Sequence, residues 1–458
     1  MMHVKNSRTG HSLDRRHLLQ VGCSSFLGLS LPQLASLRAA SNNERPIKSV
    51  ILAFQTGGGS HIDTFDPKPD SSNVKGEFTT TDTTIPGVQF TEHVSRLAAR
   101  TNKLAIIRSM AHGDNRHLSG THNTLTGMPQ VFRGDSNEDK ELSRLDWPSY
   151  GGALEYLRPS STGLPCQVTV PQPLIEGTLT WPGQHSGFLG PKYDPFQVNS
   201  DPNSAEFKVD GIQLLDGITT NRLQDRKGLL SDLNRQRAAL DGLARKTQFT
   251  SQQEAAFSML ASGKMTAAFD ISKESDKTRD QYGRCKIGQS LLLARRLVEH
   301  GVPYVQANMG HVQSWDTHSD NFPRLKDRLL PGVDTGVSAL LDDLDSRNML
   351  DDVLVVLVGE FGRTPSITKN GTNPVPGRGH WAPCYTAVFA GGGVRGGQVI
   401  GKSDKNGGYP ASTPYHPNDI GATIYHTLGV DPASTIVDEQ GRPIHLNRGK
   451  RLDVLYTG

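Results

Sequence analysis

The stretch SWDTHSDN, residues 314–321, follows a pattern of helix, glycine and strand, and it carries Asp316 and His318 two positions apart. On an extended backbone such a pair lies on one side. Both side chains can then reach one metal ion, or share one proton. They can equally be loop residues that cap their own backbone. More residues of the same kind recur along the chain: His61 and Asp63 in GGGSHID, His117 and His122 in HLSGTH, Glu360 and Arg363 in GEFGRTP, and His380 in GRGHW. Imidazole nitrogen and carboxylate oxygen suit a divalent metal with mixed ligands.

Each of these has a plainer reading. GGGSH can cradle an oxyanion with backbone N–H groups, or simply supply a turn that needs positive φ. Glu360 ends an apolar strand, where a carboxylate needs a partner. It is either a ligand or acid/base group, or the other half of a buried salt bridge with Arg363. His117 and His122 are five apart and would not share a helix face, so one of them is expected to point into a site.

Apolar, β-rich runs at 49–54, 103–110, 302–310, 352–360 and 385–393 read as strands that would position these residues. Helical patterns at 288–300, 335–350 and 418–429 lie between or after them, with Gly301 and Gly429 as stops and Asn418 or Asp419 as an N-cap. Alternating strands and helices with near-continuous apolar strands imply an α/β fold. Its sheet would be mostly parallel and doubly wound, covered on both faces. Ligand sites in such sheets lie beyond the carboxyl ends of the strands, where the polar residues above gather. Residues 130–205, rich in Pro, Gly and Ser, are expected to be loop excursions, 206–285 a helical insertion, and 436–458 a C-terminal tail.

Residues 1–40 read differently. The Arg15–Arg16 pair, the apolar stretch CSSFLGLSLPQLASL and the small residues Ala39–Ala40 resemble a twin-arginine export signal. The apolar run is too short for a permanent span. Arg38 or Leu37 makes the cleavage box imperfect, which leaves open an uncleaved anchor. Export predicts a periplasmic, cell-surface or secreted protein, with the twin-arginine machinery as a partner and no transmembrane span in the mature chain. Five basic residues against Asp14 give this leader +4 of a whole-chain net charge of +3, so the remainder is near −1. No basic stripe for nucleic acid remains. Cys166, Cys285 and Cys384 are far apart and form neither a disulfide framework nor a Cys-x-x-Cys metal pair.

Taken together, GGGSHIDTFDPKPD, AFDISKE, LLLARRLVEHGVPYVQ, WDTH, GEFGRTP, AGGGVRGGQVIGKSD and NDIGATIYHTLGVDP resemble the bacterial domain of unknown function 1501 family, over roughly residues 45–435. That family in turn is similar to the alkaline phosphatase and sulfatase superfamily. The resemblance implies an alkaline-phosphatase-like fold and a hydrolase acting on phosphate or sulfate esters, those of a polysaccharide among the candidates. A non-catalytic binding or assembly protein on the same fold is the alternative.

Several positions depart from the superfamily pattern. Nine residues before Thr126-Gly127, where a nucleophile is implied, stands His117; a ligand, a base and a phosphate-accepting nucleophile all remain open for it. Glu360–Phe361 stands where an Asp–His metal pair is implied, and Thr56-Gly57-Gly58 where an aspartate ligand is implied. Gly379 replaces an aspartate before His380. By contrast Asp316, His318 and His380 resemble the ligands of the other metal. The expectation is therefore a single divalent metal site, zinc being one candidate. Asp316, His318 and His380 would hold it, with His61 or Asp63 as a fourth ligand. Glu360 would be the acid/base, and Arg363 with the 57–60 amides would hold the anionic group.

Overall fold

In a computed structural model, residues 48–130, 141–160, 163–212, 225, 263–369, 371, 373–438 and 440–457 are described. The leader lies outside these residues, as does most of the insertion expected at 206–285.

Eight strands form the main sheet: β1 Ser49–Gln55, β2 Leu104–Met110, β3 Gln167–Val170, β4 Phe196–Gln197, β5 Tyr304–Asn308, β6 Val353–Gly359, β7 Tyr385–Ala390 and β8 Gln398–Ile400. They lie in the order β8-β2-β7-β6-β1-β5-β3-β4. The centre is parallel: Ser49 pairs with Val353 and Phe54 with Val358, while Val50 pairs with Tyr304 on the other side. The sheet is mostly parallel, as expected, with one exception. β7 runs antiparallel to both β6 and β2.

Alternation along β1 shows why both faces need cover. Ile51 and Ala53 enter one apolar cluster, and Val50, Leu52 and Phe54 enter another. Helices α3 Lys286–Glu299 and α4 Leu330–Ser346 supply the first cluster. Helices α1 His117–Thr126, α2 Tyr150–Leu157 and α5 Pro417–Thr427 supply the second. α5 is capped two or three residues earlier than the sequence suggests. Its N-cap is His416, Pro417 takes the first helical position, and Asp419 accepts from the His416 N–H at 2.9 Å. A proline fits there because its missing N–H would have no intrahelical partner anyway.

Two stretches differ from the sequence expectation. Residues 130–205 are more than excursions: they hold α2 and two parallel strands, β3 and β4, that extend the sheet. The segment after 435 is not a loose tail. A short hairpin, Thr435–Val437 with Pro443–His445, and the buried Ile436, Leu446, Leu452 and Leu455 join the second cluster. Among the described residues no helix is long and apolar enough to cross a membrane.

Candidate metal centre

The polar segments meet at the rim where the parallel strands end. His380 reaches the same rim because β7 is antiparallel and starts there. The turn after β5 is folded back by Trp315, whose N–H donates to the Thr56 carbonyl at 2.9 Å and whose indole N–H donates to the Met309 carbonyl at 2.7 Å. This presses Asp316 onto the end of β1. Gly57 has φ +108, and a Cβ there would stand 2.6 Å from the Asp316 nitrogen. No aspartate can occupy that position while the two backbones touch.

Asp316 is the hub. Its Oδ1 lies 3.1 Å from Nε2 of His318, 3.1 Å from Nε2 of His380 and 2.5 Å from Nη1 of Arg363, and its Oδ2 lies 3.4 Å from Nε2 of His117. Burial opposes the Asp316 charge, but the three imidazoles and Arg363 outweigh it and hold the carboxyl far below the usual range. His117, Asp316 and His380 are the group of three among the described residues whose ligand atoms all lie within 4.8 Å of one another.

The protons on the imidazoles of His117, which is buried, and His380, which is half-buried, can be assigned from their partners. Nδ1 of His380 faces the Asn115 carbonyl at 2.8 Å, and Nδ1 of His117 faces Oε1 of Glu360 at 2.7 Å. A carbonyl and a carboxylate only accept, so each Nδ1 carries the proton. In the neutral rings both Nε2 lone pairs then face the Asp316 carboxylate, and that of His380 also faces Nε2 of His318 at 2.9 Å, which can supply a proton to it. Acceptor facing acceptor is repulsive unless a cation or a proton lies between. For His117 the proton is favoured: burial works against the charge, yet Asp316 and Glu360 together raise its pKa to about 9, whereas burial lowers that of His380. An imidazole oriented by a carboxylate or carbonyl on its far nitrogen is how metal-binding histidines are held. The donor set therefore fits a divalent ion.

Two rings hold His117 from the sides. The Trp181 ring stacks 5.4 Å away and the Phe361 ring lies at 5.0 Å. Phe361 also lies 5.0 Å from His380. An apolar ring thus lines the cluster at the position where the sequence comparison implied a second ligand.

Other expected site residues are engaged elsewhere. Glu360 is fully buried, and its carboxylate receives the Gly57 N–H at 2.8 Å as well as His117. It orients His117, and it reaches neither solvent nor Arg363 as a pair. Arg363 is also fully buried; it binds Asp316 and the carbonyls of Gly57, Gly58 and Arg378. Those contacts pin the Gly57–Gly58 turn rather than hold an anion, and the Gly57 amide is taken by Glu360. Asp63 is bound through both oxygens by Arg378, at 2.8 and 2.9 Å. His61 is buried with Nε2 on the Gly407 carbonyl at 2.8 Å. Neither belongs to the three-residue group, so neither serves as its fourth ligand in this arrangement. His318, with 37% of its side chain exposed, sits at the mouth.

His122 points away from the cluster, into the core. Its Nδ1 donates to the Met128 carbonyl at 2.9 Å, and its Nε2 accepts the Trp147 N–H at 3.2 Å. Burial pushes its pKa down to about 3. A base depressed in the fold stabilises fully above its unfolded value of about 6.5. That stability is lost as pH falls toward 3, at about 1.4 kcal/mol per pH unit. Unfolding measured from pH 7 to pH 4 should show this slope, and His122→Gln should flatten it by about one proton's worth. An unchanged slope in the variant would exclude the assignment.

Sequence reasoning missed Asn115 and Trp181. Asn115 acts through a backbone carbonyl, which leaves no mark in the sequence. Trp181 lies in the stretch read as loop.

The fold and this donor set describe an α/β protein with a histidine–carboxylate cluster at the carboxyl rim of its sheet. The chain belongs to the family described as Protein of unknown function (DUF1501), whose model matches residues 47–455. No curated protein matches it. Solved structures similar to it include Ps i-CgsB in complex with k-i-k-neocarrahexaose (TM-score 0.41, 11% identity, covering 88% of this chain and 75% of that chain). A sulfatase from Pseudoalteromonas sp. gives TM-score 0.38 and 13% identity, covering 87% of this chain and 70% of that chain. The alkaline phosphatase of the Antarctic bacterium TAB5 gives TM-score 0.35 and 11% identity, covering 84% of this chain and 99% of that chain.

Proposed function

We propose that this chain is an exported, metal-dependent hydrolase-like protein acting on phosphate or sulfate esters, including those of anionic polysaccharides. One observation carries the reading: two imidazole nitrogens, each with its other nitrogen committed as a donor, converge with a carboxylate. His117, Asp316 and His380 would hold the ion, with His318 at the mouth as a further donor. Bound there, a divalent ion such as zinc would supply Lewis acidity toward an ester oxygen and acidify a bound water. Glu360 keeps His117 in the liganding tautomer. Phe361 and Trp181 exclude water from the sides of that ring.

Elemental analysis of protein purified without chelators should find about one divalent ion per chain, as expected for one three-residue ligand set. The loaded protein should hydrolyse 4-nitrophenyl phosphate or 4-nitrophenyl sulfate, and chelation should remove that activity. No bound metal after re-addition would reject the site. Metal without turnover of either ester would favour a binding or assembly protein on the same fold. One observation supports that second reading: Arg363, the nearest guanidinium, spends its donors on interior partners.

We place the protein in the periplasm or at the cell surface, on the strength of the Arg15–Arg16 leader. Replacing both arginines by lysine should strand it in the cytoplasm; normal export of that double variant would refute the leader.

A further inference from the structure

We infer that Arg378 and Asp63, neither of them a member of the cluster, form a positioning pair that fixes the separation of Asp316 and His380. The inference rests on the metal reading above and names what holds that site in register.

Three loops cross at this pair. The Arg378 guanidinium reaches both Asp63 oxygens in the loop after β1, the Val74 carbonyl at 2.8 Å, and the Thr364 and Pro365 carbonyls at 3.1 and 2.5 Å. Its backbone N–H donates to the Thr317 carbonyl at 2.9 Å, one residue from Asp316, and its carbonyl receives Arg363. Asp63 also accepts from Ser60 at 2.7 Å and from Asn321 at 2.9 Å; Thr317 in turn donates to Asn321 at 2.5 Å. So the loop bearing Asp316 and His318 and the loop bearing His380 are each tied to the same buried ion pair.

The two loops also touch directly. A Cβ on Gly377 would lie 2.2 Å from the Thr317 carbonyl oxygen and 2.4 Å from the His318 carbonyl carbon. Any side chain at 377 must part them. A buried ion pair is weak evidence for stability, but it specifies geometry, since only one arrangement satisfies all its bonds. Arginine suits the role because its rigid fork addresses a carboxylate and several carbonyls at once, which a lysine cannot do.

The test titrates zinc into wild type, Arg378→Lys, Asn321→Ala and Gly377→Ala, alongside thermal unfolding of each metal-free protein. Histidine ring resonances of the same metal-free proteins are recorded by NMR. Arg378→Lys and Gly377→Ala should fold cooperatively and bind zinc about 10–100-fold more weakly, as losses of outer supports do; Asn321→Ala should show a smaller loss. The His380 and His318 ring signals should shift in all three. Folded variants with wild-type zinc affinity and unshifted rings would overturn the positioning role. Shifted rings in a protein whose wild type takes no zinc would uphold the pair and reject the metal reading instead. Should Arg378→Lys fail to fold, the milder Asn321→Ala and Gly377→Ala decide by the same two readouts.

Discussion

Asp316→Ala should bind no divalent metal and should unfold at a markedly lower temperature than wild type. Both effects come from one carboxylate. It is the only anionic member of the three-residue group. It is also the partner of Arg363, a fully buried guanidinium. Removing one half of a buried pair leaves an uncompensated charge and costs roughly 3–5 kcal/mol. Asp316→Asn separates the two effects. It keeps an acceptor oxygen for Arg363 and loses the charge that draws the imidazoles and the ion. The variant is therefore expected to recover part of the stability and none of the metal. Calorimetric unfolding and metal analysis of the two variants check this; metal retained in the Ala variant would remove Asp316 from the centre.

Glu360→Gln should keep the fold and weaken metal binding about 10–100-fold, the usual cost of losing an outer partner of a ligand histidine. The amide oxygen can still take the Gly57 N–H. It can no longer offer a carboxylate to Nδ1 of His117. Glu360→Ala goes further, because it leaves both buried donors without their acceptor. A destabilisation of roughly 3–5 kcal/mol is expected for that loss of one buried partner. The pair of variants also separates two roles. An orienting Glu360 predicts weakened metal affinity, with turnover recovered when metal is in excess. An acid/base Glu360 predicts full metal and no turnover in the Gln variant. The fully buried carboxylate favours the first outcome.

Much of this was legible in the sequence because the central strands are continuous apolar runs. β1, β2, β5, β6 and β7 stand out from the polar loops that follow or precede them. β3 and β4 do not, being four and two residues long within a stretch dense in proline and glycine. The direction of β7 could not be read either, since an apolar strand looks the same both ways. Asp316, His318, His380 and His117 were visible as candidate ligands near strand ends. What they bond to was not. Whether Asp63 faces an ion or an arginine depends on Arg378, which is far away in sequence and stands in GRGHW without any sign of which carboxylate it meets. The tautomers hang on Glu360 and on a main-chain carbonyl at Asn115, and the carbonyl has no sequence signature.

The position of β1 has a consequence for how the chain is made. It is the first strand of the described domain, yet it lies in the middle of the sheet, and both its neighbours come late, at Tyr304–Asn308 and Val353–Gly359. At a synthesis rate of roughly 5–20 residues per second, this apolar strand leaves the ribosome more than about ten seconds before either partner exists. The centre of the sheet therefore closes after most of the chain has been translated, and Asp316, Glu360 and His380 come together only then. Until that moment β1 is an apolar strand without its sheet partners, the kind of segment that aggregates while a chain is incomplete.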